Sequence, residues 1–134
     1  MQKSIFTKII DGDIPCHKVY ENDLLIAFLD IHPVQPGHTL VVFKQQVEQF
    51  TDMNQADFSA FMNVVHTIAQ HIQRKTGSHR IVLRFEGFDV PHVHAHLIPC
   101  EKEGDSYRAD RDKDEPDHVA LAAVAKELYM KDEA

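Results

Sequence analysis

Apolar residues recur along this chain with two different periods. Residues 4–10 carry isoleucines and a phenylalanine at helical spacing, with Ser4 as a possible N-cap and Gly12 beyond the end. From 54 to 75 the apolar positions recur every three or four residues and Gly77 follows, which predicts a long helix with one buried face. The apolar positions of this helix are Phe58, Phe61, Val65, Ile68 and Ile72.

Other segments are short, apolar and rich in β-branched or aromatic residues, as is typical of strands. They lie at residues 17–20, 24–29, 38–43, 80–85 and 93–98. The polar turn 21–23 joins the first two, which predicts a β-hairpin. A last helix is predicted at about 117–130, with its apolar face formed by Val119, Leu121, Val124, Ala125 and Leu128.

Strands joined by short turns, with helices at the start, in the middle and at the end, predict an α+β domain with an antiparallel sheet. The 134 residues fit one domain, 1–134, with its core at about 4–99. Residues 101–117 are dense in charge of both signs, and we expect them to form a mobile, solvated linker without a function.

Charge and composition narrow the range of partners. The net charge of −7 repels polyanions, so duplex nucleic acid is not expected to bind, although a small phosphorylated ligand remains possible. The longest apolar run, 24–29, is far shorter than the ~20 residues of a membrane span, and no signal peptide is visible. We therefore expect no membrane partner, a cytoplasmic location, and free thiols at Cys16 and Cys100.

Histidines are unusually frequent, and their spacing is the most informative feature of the chain. The ten are His17, His32, His38, His66, His71, His79, His92, His94, His96 and His118. His92, His94 and His96 alternate with Val93, Ala95 and Leu97, so on a strand the three imidazoles would share one face and the aliphatic residues would face the core.

Three interpretations of this row are open. The histidines could lie on an exposed strand face. They could bind zinc, although catalytic zinc usually draws a ligand from another element. They could also act in nucleophilic catalysis, since a neutral imidazole can serve as nucleophile, base or acid at physiological pH. The strict alternation within an apolar strand favours catalysis.

Residues 92–98, His-Val-His-Ala-His-Leu-Ile, resemble the His-φ-His-φ-His-φ-φ signature of the histidine triad (HIT) family, where φ is an apolar residue. The resemblance extends to residues 4–15, 28–33 and 36–42, and covers roughly 4–99. It is greatest to the histidine triad nucleotide-binding, or Hint-type, branch. It implies a HIT-like domain that forms a homodimer through its central helix and a strand.

The resemblance also implies a site that binds a nucleoside monophosphate. His94 would attack the α-phosphorus to give a nucleotidyl-histidine intermediate, which water then hydrolyses. His92 and His96 would orient the ring or contact phosphate oxygens, and His38 would hydrogen-bond within the cluster. Asp30 would accept hydrogen bonds from the ribose hydroxyls. The slot for a purine base would be lined by Ile5, Phe6, Ile9, Phe28, Leu29 and Ile31.

Two departures from the family pattern change the expectation. The loop before the triad, 86–91, lacks the amide and hydroxyl side chains with which relatives contact phosphate, so backbone N–H groups or the histidines must do more. Its Asp89, which we include among the nucleotide-binding residues, would favour a cationic leaving group. Relatives that bind structural zinc carry two cysteines and a histidine where this chain has Ser4, Thr7 and Gln46. We therefore expect neither a metal nor a cofactor.

The sequence as a whole predicts a hydrolase that acts on purine nucleoside phosphoramidates or related nucleotidyl conjugates through His94. Two alternatives stay open. The altered loop at 86–91 is compatible with a nucleotide-binding adaptor that has negligible turnover. A dinucleoside polyphosphate hydrolase is the second alternative, although a −7 protein would repel its more highly charged substrate.

Overall fold

The computed structural model describes residues 2–131 and has a five-stranded sheet with three helices. The strands are β1 (Lys18–Glu21), β2 (Leu25–Leu29), β3 (Thr39–Phe43), β4 (Arg80–Phe85) and β5 (His94–Cys100). The helices are α1 (Ile5–Ile10), α2 (Gln55–Thr76) and α3 (His118–Leu128). All neighbouring strands are antiparallel, in the order β1-β2-β3-β5-β4. The predicted α+β class is confirmed.

The inner strands β2, β3 and β5 are buried along their whole length, because both faces of the sheet are covered. One face packs on α2 and α3, where Val93, Ala95 and Leu97 lie in the main core as their alternation predicts. The other face carries a smaller apolar cluster that includes Phe6 of α1 and Phe28 of β2. The triad lies on this second face, beneath α1.

The long helix α2 is defined by its caps and by its apolar face. The Asn54 side chain accepts a hydrogen bond from the Asp57 N–H, and Gly77 ends the helix with a left-handed φ of 65°. The predicted positions from Phe61 onward are fully buried against the sheet. Burial of each such side chain contributes about 1.5–3 kcal/mol, so α2 supplies much of the core.

Helix α3 differs from the prediction at one position. Leu121, Ala125 and Leu128 are buried, but Val119 is 84% exposed. The helix begins at His118 with Asp117 as its N-cap, so Val119 lies in the first turn, beyond the edge of the core that α3 covers.

The charged segment 101–117 is closely attached to the domain, contrary to the expectation of a mobile linker. Gln35 donates to the Asp105 carbonyl oxygen, and Arg84 donates to that of Ser106. Arg108 donates to the Pro33 carbonyl oxygen at 2.9 Å. The segment therefore follows the turn between β2 and β3, next to the triad face.

Among residues 2–131, no helix has both the length and the apolar character needed to cross a bilayer. Cys16 and Cys100 are both free thiols, as expected.

Candidate active site

The three histidines of the triad are buried on the α1 face of the sheet. His94 and His96 lie on β5, and their ring centroids are 5.0 Å apart. His92 precedes the strand, but Phe6 contacts its ring as well as that of His94, with centroids 5.9 Å and 4.8 Å apart, so His92 lies on the same face. The three residues are 0%, 2% and 5% exposed in chain order. This burial excludes the interpretation that they form an exposed strand face.

The protonation of the His94 ring follows from its backbone contact. Its Nδ1 lies 2.7 Å from the carbonyl oxygen of His92. A carbonyl oxygen can only accept, so Nδ1 carries the proton and Nε2 of the neutral ring has the free lone pair. Phe6 meets the same ring edge to face, with centroids 4.8 Å apart. The two contacts hold His94 in one orientation with a nucleophilic nitrogen available.

His38 and His96 form a directional pair. The Val34 N–H donates to Nδ1 of His38 at 3.0 Å, so His38 carries its proton on Nε2. That Nε2 lies 2.9 Å from Nδ1 of His96 and donates to it. His96 must then carry its own proton on Nε2. The pair therefore leaves one N–H donor, Nε2 of His96, on the ring beside His94. No member of this series of hydrogen bonds, from the Val34 N–H through His38 to His96, needs to be charged.

Burial favours the neutral form of the imidazole rings of His38, His96 and His92. It lowers the pKa of His38 to about 3, and the Asp30 carboxylate, 3.7 Å from Nε2 of His38, only partly opposes the shift. Burial also lowers the pKa of His96 to about 4, with a further contribution from His94. The pKa of His92 is lowered for the same main reason. At pH 7 His38 and His96 are uncharged, so the tautomers derived for this pair are the ones present.

His92 links the triad to the amino-terminal helix. Its Nε2 donates to the Phe43 carbonyl oxygen at 2.6 Å, and its Nδ1 accepts from Oγ of Ser4 at 2.6 Å. Ser4 Oγ accepts from the N–H of Thr7 at 3.0 Å, and Thr7 Oγ1 donates to Oε1 of Gln46 at 2.6 Å. Ser4, Thr7 and Gln46 thus form a hydrogen-bonded cluster that reaches His92 through Ser4.

We expect this cluster to hold no zinc, because hydroxyl and amide oxygens are poor zinc ligands and every polar atom of the Ser4–His92 contact is already used. Elemental analysis should give well under one zinc per chain, and chelator should leave the melting temperature unchanged. A matched control restores the ligand types with Ser4→Cys, Thr7→Cys and Gln46→His, and should gain zinc. One tightly bound zinc in the unaltered protein would contradict the expectation.

Asp30 follows β2 and lies at the edge of the histidine cluster. Its Oδ1 accepts the N–H of His32 at 2.9 Å. Its Oδ2 accepts from Nη1 of Arg111 at 3.0 Å, and the same nitrogen also donates to the His32 carbonyl oxygen. The carboxylate is therefore next to the triad as predicted, but a residue of the charged segment already contacts it.

The six residues predicted to line a base slot are not all on one face. Phe6 and Phe28 meet edge to face at 5.8 Å, and Ile9 packs against the same cluster. Two more are largely exposed, namely Ile5 (49%) and Ile31 (40%). Leu29 lies in the main core on the opposite face of the sheet, because it follows Phe28 directly on β2. The structure brings Phe6, Ile9 and Phe28 together and leaves Leu29 apart.

The loop before the triad places its acidic residues in different surroundings. His94 lines a cavity of about 320 Å³ whose walls include Glu48, Glu86 and Phe88. Asp89 lies outside this lining, is exposed, and accepts a hydrogen bond from the N–H of Val90 at 2.8 Å. Glu86, rather than Asp89, is thus the acidic loop residue that shares a cavity with His94.

The HIT domain family model matches residues 11–103 of this chain. The chain belongs to the HIT family. An uncharacterised HIT-like protein of Methanocaldococcus jannaschii is 42% identical over 130 residues, covering 92% of this chain and 97% of that one. An adenosine 5′-monophosphoramidase of Schizosaccharomyces pombe is 35% identical over 104 residues, covering 74% and 75%.

The solved structures agree with this assignment. A crystal structure of a Hit-like protein from Bartonella henselae matches with a TM-score of 0.77 at 29% identity, covering 94% of each chain. The predicted HIT family and its Hint-type relatives are confirmed.

A metal shared by the three triad imidazoles does not fit this HIT domain, since both ring nitrogens of His92 are already hydrogen-bonded. Within the described residues, the ligand atoms that do lie within 4.8 Å of one another belong to Asp30, His38 and His96. A metal there would have to displace the proton shared by the two histidines and the Arg111 contact of Asp30. These residues fit a hydrogen-bonded cluster better than a metal centre.

Arg111 is the residue at the site that sequence reasoning missed. It lies 81 positions from Asp30 in a segment whose mixed charge is typical of solvated linkers. No local pattern distinguishes it from Arg108, so only the folded chain shows which arginine reaches the carboxylate.

Proposed function

We propose that this HIT protein hydrolyses purine nucleoside phosphoramidates or related nucleotidyl conjugates through a covalent intermediate on His94. The observation that carries the proposal is the His94 ring, whose proton is held on Nδ1 by the His92 carbonyl oxygen and whose Nε2 is left with its lone pair. Catalysis by a nitrogen nucleophile requires that arrangement at neutral pH. The phosphoramidase name of the Schizosaccharomyces pombe relative agrees with it.

The reaction would take place in two displacements at the α-phosphorus. In the first, the lone pair of His94 Nε2 forms the new N–P bond, and the bond to the leaving amine breaks. The leaving nitrogen keeps the bonding pair and takes up a proton from solvent. In the second, water attacks the same phosphorus and gives up a proton to solvent, the N–P bond to His94 breaks with its electron pair returning to Nε2, and the nucleoside monophosphate is released.

The His38–His96 pair would assist at the phosphoryl oxygens. Its fixed direction leaves the proton of His96 on Nε2, and that donor lies on the ring next to His94. A donor held in place by a second imidazole requires little reorganisation as charge develops on the phosphoryl group. The role of His92 would be to hold α1, and with it Phe6, against the nucleophile.

Substrate preference tests the proposal against its closest alternative. We expect kcat/KM for an adenosine phosphoramidate of lysine or tryptamine to exceed that for diadenosine triphosphate. Glu48 and Glu86 share the cavity of His94, so they favour an amine that takes up a proton and leaves as an ammonium ion, and they repel additional phosphates. The difference should narrow at high salt, because salt screens these charges. The reverse ranking at equal salt would favour a dinucleoside polyphosphate hydrolase.

A nucleotide-binding adaptor is the second candidate, because the 86–91 loop has no amide or hydroxyl side chain to contact phosphate. Binding of adenosine monophosphate without turnover of a fluorogenic adenosine phosphoramidate would favour the adaptor.

We also propose that the functional unit is a homodimer joined at β4. This strand is at the edge of the sheet, and Leu83 is 42% exposed although it faces the same side as its buried partner Leu97. Within residues 2–131 no further strand pairs with this edge, and an edge with an apolar residue beside α2 is suited to a second copy of the chain. Light scattering should give twice the chain mass of 15.3 kDa.

A variant checks that β4 is the contact. Leu83→Asp should shift the mass toward a monomer while the far-UV circular dichroism spectrum is retained. A mass near 15.3 kDa for the unaltered protein at micromolar concentration would refute the homodimer.

A further inference from the structure

The charged segment 101–117 delivers one side chain to the ribose-binding position. Arg111 lies in a short 3-10 turn, Arg111–Lys113, and its guanidinium reaches Oδ2 of Asp30 and the carbonyl oxygen of His32. The neighbouring Arg108 instead pairs with Asp114 at 2.7 Å and with the Pro33 carbonyl oxygen. Only the first of these two arginines contacts the carboxylate.

The contact is sheltered from water. The side chain of Asp30 is 11% exposed and that of Arg111 is 21% exposed, so their charge-assisted hydrogen bond is screened less than a surface ion pair. The second carboxylate oxygen is bound by the N–H of His32 within its own turn. A ribose hydroxyl that approaches Oδ2 would therefore compete with the Arg111 guanidinium for that oxygen.

We propose that Arg111 is a specificity-determining residue that competes with the ribose hydroxyls for Asp30. This inference rests on the proposed function, because it takes Asp30 as the acceptor of the ribose. A ribonucleotide gains two hydrogen bonds to the carboxylate but loses the Arg111 contact. A nucleotide without ribose hydroxyls leaves the ion pair in place. Arg111 therefore reduces the preference of the site for ribose and weakens its hold on the nucleoside monophosphate product.

The competition predicts a nucleotide-selective effect of Arg111→Gln. In this variant adenosine monophosphate should bind about five- to tenfold more tightly, as expected for removal of one charge-assisted competitor. The affinity for 2′,3′-dideoxyadenosine monophosphate should stay within about twofold, because that ligand has no hydroxyl to place on Asp30. Isothermal titration calorimetry with both nucleotides measures the two changes directly.

Arg108→Gln is the matched control, because it removes an arginine from the same segment that does not touch Asp30. It should change neither affinity. Arg111→Lys should fall between wild type and Arg111→Gln, since lysine keeps the charge but loses the planar geometry. This conservative variant also covers the case in which Arg111→Gln does not fold, which a thermal melt would show.

The outcomes separate this inference from the proposed function. Weaker binding of adenosine monophosphate to Arg111→Gln would show that Arg111 holds the nucleotide, and would overturn the proposal. Equal changes for both nucleotides would overturn it as well. If neither wild type nor variant binds adenosine monophosphate at millimolar concentration, the proposed function fails and the inference fails with it.

Discussion

His94→Ala is expected to lower phosphoramidate turnover by about four orders of magnitude or more, because removal of a covalent nucleophile costs on this scale. Affinity for adenosine monophosphate should change only a fewfold, since Asp30 and the apolar residues of α1 are left intact. Steady-state kinetics with a fluorogenic adenosine phosphoramidate, together with calorimetric titration of the nucleotide, separates the two effects.

A control variant shows whether the loss is specific to the triad. His79 is exposed next to the start of β4, and His79→Ala should retain wild-type turnover. A thermal melt of His94→Ala excludes unfolding as the cause, which matters because the ring is 2% exposed and packed against Phe6. Turnover of the folded variant within tenfold of wild type would overturn the assignment of His94 as nucleophile.

Acidification from pH 7 to pH 5 should destabilise the protein by several kcal/mol. Burial lowers the folded-state pKa of His38 to about 3 and of His96 to about 4, whereas both titrate near 6.5 in the unfolded chain. Below pH 6.5 the unfolded state therefore binds more protons than the folded state, so the free energy of unfolding falls as pH falls. Each histidine contributes roughly 1.4 kcal/mol per pH unit in that window.

Urea denaturation at pH 7, 6 and 5 measures this dependence. Most carboxylates titrate below the window, so the histidines should dominate the slope between pH 6.5 and 5. His96→Asn removes one of the buried rings and should reduce the slope by roughly 1.4 kcal/mol per pH unit, whatever its effect on stability at pH 7. A free energy of unfolding that is constant from pH 7 to pH 5 would show that the two rings are not held neutral by burial.

The fold could be predicted where periodicity and capping agree with tertiary packing. The pattern over 54–75, with Asn54 before it and Gly77 after it, matches α2 almost to the residue. Val119 was wrong as a core position because helical spacing identifies a face but cannot show where the sheet beneath it ends. The attachment of 101–117 could not be predicted, since it depends on contacts with residues 33–35 and Arg84 that the chain reaches only after folding.

The arrangement of the site residues could be predicted in part from the sequence. Alternation in residues 92–97 places His94 and His96 on one face of β5 and the aliphatic residues in the core. The tautomers were not readable, because they depend on single long-range partners such as the N–H of Val34 and the hydroxyl of Ser4. The same alternation rule, applied to 28–29, places the side chains of Phe28 and Leu29 on opposite faces of the sheet, so the two could not both line one base slot.

Mass spectrometry of enzyme quenched during turnover of an adenosine phosphoramidate tests covalent catalysis by His94. We predict an adduct of one adenylyl group on the peptide that contains His94, and no such adduct on His94→Ala. Acid should release the adduct, because N–P bonds of phosphohistidine type are acid-labile, so the quench must be alkaline. Turnover without any adduct, or an adduct on a different residue, would contradict covalent catalysis by His94.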